Sequence, residues 1–194
     1  MKRLFFAFAL IFLLCSSSSA ATKSELKRMS VFISNFTELD LYNFDSSSIT
    51  MDQLIDFGIY HNYLNNSSLI KHVENQNDYD SSISAKNVAA SVRKYFDLPV
   101  THQDAKSENQ VFPYKNGKYY FYAADGVPTE AKVREFSRKG KVITMKGELY
   151  RYNAEEDKDE VVGEFTATAK PHKWNGKDTW AILSLKSKLY EEKL

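Results

Sequence analysis

Two periodicities divide the chain into an N-terminal part with helical spacing and a C-terminal part with strand spacing. Up to about residue 98, apolar side chains recur every three or four residues, which is typical of helices with one buried face. From Gln110 onward, apolar and polar side chains alternate, which is typical of strands with one buried face. The pattern therefore predicts an α+β fold, with helices first and hairpin-linked strands after them.

Three segments have the helical spacing, and a residue that can cap a helix lies at or near the start of each. They are Thr22–Asn35, Thr50–Leu64 and Ala85–Phe96. Thr50 and Gln53 have the spacing of a capping box, in which each side chain accepts a hydrogen bond from the backbone of the other residue. The second segment is apolar around much of its circumference, so we expect it to lie between other elements. Gly58 within it costs about 1 kcal/mol relative to Ala, and we expect a close contact to offset that cost.

Six segments have the alternating pattern, and turn residues separate them. They are Gln110–Tyr114, Lys118–Ala124, Ala131–Arg138, Lys141–Tyr152, Val161–Lys170 and Thr179–Ser187. Asn116-Gly117 between the first two is the strongest short hairpin signal. We therefore expect a curved antiparallel meander of about six strands, with the three helices packed on one face.

We expect residues 22–194 to form a single α+β domain, with a helical part at 22–98 and a sheet part at 109–187. This order of elements resembles that of cystatin-like and nuclear-transport-factor-like domains, in which a bent sheet wraps helices. The resemblance covers the order of the elements and no sequence motif. It implies a cone between sheet and helices whose mouth can hold a ligand.

Residues 1–20 have the three-part layout of a secretory signal peptide. A basic start is followed by the apolar run Leu4–Leu14 and then by small residues. The run has eleven residues, which is too short for a helix that spans a bilayer. We expect cleavage after Ala20 or Ala21. The layout suggests a bacterial protein that is exported to the extracellular space or the cell envelope.

Cys15 leaves a second interpretation of this segment open. A cysteine after an apolar run is also typical of bacterial lipoprotein signals, in which the cysteine carries a lipid anchor. Leu14 stands where such signals usually have a small residue, and Phe12 stands where they usually have Leu. We therefore favour cleavage without lipidation. An uncleaved segment retained as a membrane anchor is a third interpretation.

Cleavage would change both the charge and the cysteine content. Removing Lys2 and Arg3 from the 26 basic residues leaves 24 against 25 acidic ones, a net charge near −1. Nucleic-acid-binding proteins carry a strong basic excess, so we expect no nucleic-acid partner. Cys15 is the only cysteine, so the released chain would have no disulfide, thiol nucleophile or thiolate metal site.

Catalytic and metal-binding motifs are missing from the sequence. His61, His72, His102 and His172 are far apart and form no His-x-x-x-His pair. The chain has no Gly-x-Ser-x-Gly turn and no glycine-rich phosphate loop. The acidic run at 155–160 lacks the central glycine of an EF-hand, so we interpret it as a solvated hairpin tip. We predict no metal, no cofactor and no identifiable catalytic residue.

Aromatic side chains on the predicted strands are the most distinctive surface candidates. Tyr120 and Tyr122 share one face of their strand. We expect Tyr150, Tyr152 and Trp180 opposite the core face of theirs. Because Tyr and Trp combine apolar area with a polar group, such a row can stack on sugar rings or anchor a partner. Alternatively, these rings cover a strongly bent sheet.

Two functions fit these observations. The first is a non-catalytic binding module that uses the aromatic sheet face, or a cone between sheet and helices, for a small molecule, a glycan or a cell-envelope protein. The second is a small exported hydrolase or isomerase with a pocket near His61, where Asp56 would be a second polar residue. We favour the first function because the sequence carries no catalytic motif, and we include His61 among the candidate ligand-binding residues.

Overall fold

The computed structural model describes residues 22–74, 79–123 and 126–190, and these form an α+β fold. The helices are α1 (Lys23–Thr37), α2 (Met51–Asn65) and α3 (Ala85–Phe96). The prediction of three helices is confirmed. No helix within the described ranges is both long and apolar enough to cross a membrane. The predicted signal peptide, residues 1–20, lies outside the described residues.

Eleven strands in the described part of the chain form three antiparallel sheets. They are β1 (Asn43–Asp45), β2 (Lys71–His72), β3 (Ser81–Ser84), β4 (Ala105–Lys106), β5 (Val111–Phe112), β6 (Tyr114–Lys115), β7 (Lys118–Phe121), β8 (Thr129–Lys139), β9 (Val142–Asn153), β10 (Lys158–Trp174) and β11 (Lys177–Leu189). The larger sheets have the orders β1-β11-β10-β9-β8 and β2-β3-β7-β6, and β4 pairs with β5.

The predicted meander is therefore only partly confirmed. Its long strands are β8 to β11, but they share their sheet with β1, and the hairpin at Asn116-Gly117 belongs to a different sheet. Three short strands also lie between the helices, so the N-terminal part is not purely helical. β1, β2, β3 and β4 escaped prediction because strands of two to four residues are too short to establish an alternation of apolar and polar positions.

Hydroxyl groups of α1 hydrogen-bond the backbone of β8, the edge strand of the five-stranded sheet. Ser30 Oγ accepts a hydrogen bond from Val133 N–H at 2.9 Å. Ser34 Oγ accepts one from Ala131 N–H at 2.9 Å. Thr37 Oγ1 donates to a third backbone group of β8 at 2.6 Å. Their spacing of three or four residues lets one helix face cover an edge that would otherwise be open to pairing with another chain.

Two hydrophobic cores meet at α2. The first lies between the three helices and the five-stranded sheet, and Phe57 belongs to it. The second lies between α2, α3 and the four-stranded sheet, and Ile55 and Ile59 belong to it. The prediction that the second helix lies between other elements is thus confirmed. Gly58 allows α2 to approach α3, since a Cβ there would lie 2.6 Å from Val88 Cγ1 and 2.9 Å from Val88 O.

Candidate functional site

A cleft of about 1150 Å³ opens where α2 meets several loops, including the β4–β5 connection and the segment before β8. Four segments and one strand residue line it: residues 38–41 after α1, one face of α2, residues 106–110 around the β4–β5 connection, residues 126–128 before β8, and Arg151 of β9. These segments are far apart in the sequence. The cleft therefore exists only in the folded chain.

One face of α2 supplies a row of side chains to the cleft, most of them polar. Asp52, Asp56, Tyr60 and Leu64 recur every four residues and all line it. The capping box predicted from Thr50 and Gln53 is confirmed, because Gln53 N–H donates to Thr50 Oγ1 at 3.2 Å and Thr50 N–H donates to Gln53 Oε1 at 3.0 Å. The cap fixes the start of the helix, and the helical repeat then directs these side chains to one side.

Asp56 is the least satisfied polar group in the cleft. Its Oδ1 atom is buried and has no hydrogen-bond partner among the described residues. Burial removes water from the carboxylate and raises the pKa of Asp56 to about 7. The group is therefore close to half-ionised at neutral pH. It can accept a hydrogen bond from a bound molecule or exchange a proton with it.

Negative side chains outnumber positive ones around the cleft. The acidic groups are Glu38, Asp40, Asp52, Asp56 and Glu108, and the basic ones are Lys106 and Arg151. Burial, together with the charge of Glu130, raises the pKa of Glu38, and a hydrogen bond from Asn65 opposes that rise. This balance favours a ligand that carries positive charge or several hydrogen-bond donors.

Tyr60 and Gln110 connect α2 to the loops on the far side of the cleft. Tyr60 Oη donates to the backbone oxygen of Tyr122 at 3.1 Å and accepts a hydrogen bond from Gln110 Nε2. Gln110 Oε1 accepts a hydrogen bond from Tyr122 N–H at 2.9 Å. Burial and the charge of Asp56 raise the pKa of Tyr60 to about 12, so its hydroxyl stays protonated at neutral pH.

The six residues predicted to bind a ligand do not form one cluster of stacked rings. They are Tyr120, Tyr122, Tyr150, Tyr152, Trp180 and His61. No ring contact within the described residues joins any two of them. Tyr120 belongs to β7 in the four-stranded sheet, and Tyr122 comes directly after the end of that strand. Tyr122 exposes 49% of its surface, and its ring centroid lies 6.5 Å from that of Tyr79. A continuous aromatic row is therefore not formed.

Tyr150 lies on the outer face of β9 within a network of charged side chains. Its hydroxyl donates to Glu148 Oε2 at 2.6 Å and accepts from Arg134 Nη2 at 2.6 Å. Lys132 Nζ lies 4.7 Å from the centre of its ring. Tyr152, further along the strand, is 51% exposed and donates to Asp157 Oδ1 at 2.5 Å. This face is polar, with the tyrosine hydroxyls engaged by charged neighbours.

Trp180 lies on the helix-facing side of the five-stranded sheet, although alternation placed it on the outer side. Its ring centroid is 5.6 Å from that of Phe32 on α1. A bulge between Thr168 and Ala169 shifts the pairing of β10 with β11. Ile182 and Leu185 of β11 are consequently both buried, which strict alternation does not allow. The bulge cannot be seen in the sequence, so the face of Trp180 was assigned incorrectly.

His61 is buried among aromatic rings and does not line the cleft. Its ring stacks on Phe57 with centroids 5.5 Å apart and lies 4.6 Å from Tyr95. Burial, with the charge of Lys94, lowers the pKa of His61 to about 4. Asp56 lies five positions earlier on α2, which is about 140° away around the helix. The structure thus brings Asp56 to the cleft and directs His61 into the first core.

The sequence did not predict this cleft as a site. The spacing of Asp52, Asp56 and Tyr60 was a usable signal, because it places two acids and a tyrosine on one helical face. The loops that complete the cleft carry no recognisable pattern. Within the described residues, no group of three or more His, Cys, Asp or Glu side chains is arranged to hold a metal ion.

Comparison of the chain with protein-family models, with curated proteins and with solved structures found no match in any of the three.

Proposed function

We propose that this protein is an exported binding module that holds a small cationic molecule in the cleft beside α2. The buried Oδ1 of Asp56 carries this proposal, because it is an acceptor without a partner among the described residues. A buried polar atom left without a hydrogen bond costs about 1–3 kcal/mol. A ligand ammonium group that donates to this oxygen would remove that cost and supply a charge-assisted hydrogen bond.

The surroundings of Asp56 favour an amine with an apolar body. Leu39, Leu41, Phe57 and Leu64 also line the cleft, so it offers apolar surface next to the acidic groups. A volume of about 1150 Å³ is ample for a small organic molecule. Among the expected partners, a small molecule therefore fits better than a glycan or a protein.

Binding of a cation should depend on pH, because an ammonium group attracts the ionised form of Asp56. With a pKa of about 7, Asp56 is mostly protonated at pH 6 and mostly ionised at pH 8. The affinity for an amine should therefore be roughly tenfold higher at pH 8 than at pH 6. A neutral ligand of the same shape should show no such gain.

Benzylamine and benzyl alcohol are matched probes for this proposal. We expect titrations followed by ¹H–¹⁵N NMR to shift the signals of Asp56, Tyr60 and Gln110, with the amine bound more tightly and its advantage growing with pH. Asp56→Asn should abolish both the tighter binding of the amine and the increase of that preference with pH. Asp159→Asn, the same change at an exposed position of β10, should leave them intact. Equal binding of the two probes, or unchanged binding in Asp56→Asn, would contradict the proposal.

A second candidate function is the small hydrolase or isomerase, now centred on Asp56. The observation that favours it is the pKa of about 7, because a general acid or base works best near the operating pH. The test is turnover of a panel of 4-nitrophenyl esters and glycosides. Turnover that disappears in Asp56→Asn but persists in Asp159→Asn would support catalysis, and turnover that survives Asp56→Asn would exclude this role.

A further inference from the structure

A groove of about 360 Å³ lies between α1, α3 and the start of β11. One face of α1, from Ser24 to Asn35, forms its first wall, and its lining residues follow the three- and four-residue spacing of the helix. Tyr95 of α3 and Trp180 of β11 close it. None of its lining residues belongs to the Asp56 cleft.

All charged side chains that line this groove are cationic. They are Lys27, Arg28 and Lys94. Among the described residues, no carboxylate lies within 4.0 Å of any of the three, the distance that defines an ion pair. Three cations without a counter-ion create a positive potential in a concave, partly apolar surface, which attracts an anion.

Two of these cations are held in place by aromatic neighbours. The Arg28 guanidinium lies 5.3 Å from the centre of the Trp180 ring, and its Nη2 donates to a backbone oxygen at 3.4 Å. Lys94 Nζ donates to Tyr95 Oη at 2.9 Å, and Tyr95 Oη donates to Asn35 Oδ1 at 3.1 Å. Such contacts order the charged groups before a ligand arrives, which reduces the entropy lost on binding.

The floor of the groove is apolar and open to solvent. Val31 exposes 58% of its surface although it lies on the groove face of α1. Phe32 and Trp180 continue this surface, with ring centroids 5.6 Å apart. A ligand that matches both features has an anionic head for the three cations and a short apolar body for Val31 and Trp180.

We propose that this groove binds a small organic anion, with a carboxylate or phosphate head near Arg28, Lys27 and Lys94 and an apolar body against Trp180. The groove and the Asp56 cleft differ in charge, in lining and in the ligand that they select. This second site therefore does not depend on the function proposed for the cleft.

Trp180 supplies a direct readout, because the chain has only two tryptophans and Trp174→Phe leaves it as the sole one. We expect hexyl phosphate to change its fluorescence in a saturable way at low ionic strength. Hexanol, which lacks the charge, and inorganic phosphate, which lacks the apolar body, should each bind at least tenfold more weakly. Equal affinity for hexanol, or no saturable change with hexyl phosphate, would overturn the proposal.

Charge-removing variants locate the head group. In the Trp174→Phe background, Lys27→Gln and Arg28→Gln should each weaken binding of hexyl phosphate at least fivefold. Lys118→Gln, the same loss of charge at an exposed position of β7, should leave it unchanged. Circular dichroism melts confirm that each variant is folded. Unchanged affinity in both groove variants would overturn the proposal, as would binding to phosphatidylglycerol vesicles without binding of soluble hexyl phosphate.

Discussion

Asp56 and His61 are two ionisable groups on α2 whose burial shifts their pKa values in opposite directions. The pKa of Asp56 rises from 3.8 to about 7, so between these pH values the folded protein keeps a proton that the unfolded chain has lost. The contribution of Asp56 to the free energy of unfolding therefore falls as the pH rises from about 4 to 7. The pKa of His61 falls from 6.5 to about 4, so stability from this group is lost as the pH falls through that range. The two effects oppose each other between pH 4 and 6.5.

Replacing Asp56 should expose the contribution of His61. Asp56→Asn removes the buried ionisable carboxyl, so the free energy of unfolding at pH 8 should increase by about 1–3 kcal/mol. Below pH 6.5 the variant should lose stability more steeply than the wild type, because only the histidine effect remains. Urea unfolding at pH 4.5, 6 and 8 measures both results, with Asp159→Asn as the control. A variant that is less stable than the wild type at pH 8 would contradict the burial of Asp56.

The burial of these two ionisable side chains could be predicted only in part from the sequence. A histidine on an apolar helix face is more often a core residue than a ligand, and His61 is buried against Phe57 and Tyr95. Asp56 on the same helix was considered only as a second polar residue of a pocket near His61, and its sequence neighbours gave no sign of its burial. The loops at residues 106–110 and 126–128, which line the cleft together with Asp56, come close to α2 only after folding.

At the scale of elements, the contact between α2 and α3 depends on the missing side chain of Gly58. Gly58→Ala should gain up to about 1 kcal/mol in helix propensity but force Val88 and its backbone away. We expect a net loss of about 1–2 kcal/mol in the free energy of unfolding, measured by urea denaturation.

Gly126→Ala is the matched control for this substitution, because a Cβ at Gly126 meets nothing within 4 Å. It should change stability by less than about 0.5 kcal/mol. If Gly58→Ala proved as neutral as the control, the helices would not be in close contact at this point.

The ends of α2 and α3 followed from the sequence because capping is local, whereas strand ends did not. The predicted segments Thr50–Leu64 and Ala85–Phe96 lie within one residue of α2 and α3. The predicted strand Val161–Lys170 ends just before Pro171, yet β10 continues through this proline. The pairing of β10 with β9 ends at Ala169, so at Pro171 the strand has a neighbour on one side only, where a missing N–H is tolerated. The end of a strand therefore depends on which neighbouring strands pair with it, and the whole sheet determines that pairing.

At the scale of the whole molecule, export remains a prediction that concerns residues outside the described ranges. Thr22 caps α1 by accepting a hydrogen bond from Glu25 N–H at 3.1 Å, so α1 begins directly after the predicted cleavage positions. We expect the intact mass of the protein from its own cells to correspond to a chain that starts at Ala21 or Thr22. A chain that starts at Cys15 with a diacylglycerol increment would replace this expectation with a lipid anchor.

The cleft is also a property of the whole molecule, because its lining comes from α2 and from loops of separate sheets. Periodicity predicted the fold class and the three helices, since both follow from local patterns of apolar residues. It could not predict the second sheet, the bulge that turns Trp180 inward, or the convergence of loops on Asp56. These features depend on contacts between residues that are distant in sequence.

Proton release on binding of benzylamine tests most directly whether Asp56 receives a cationic ligand. Calorimetric titrations at pH 6 in two buffers of different ionisation enthalpy count the protons released. With a pKa of about 7, Asp56 is about nine-tenths protonated at pH 6, so the wild type should release about 0.9 proton per bound amine. Asp56→Asn should release none. No release by the wild type, or equal release by the variant, would show that the ligand does not engage Asp56.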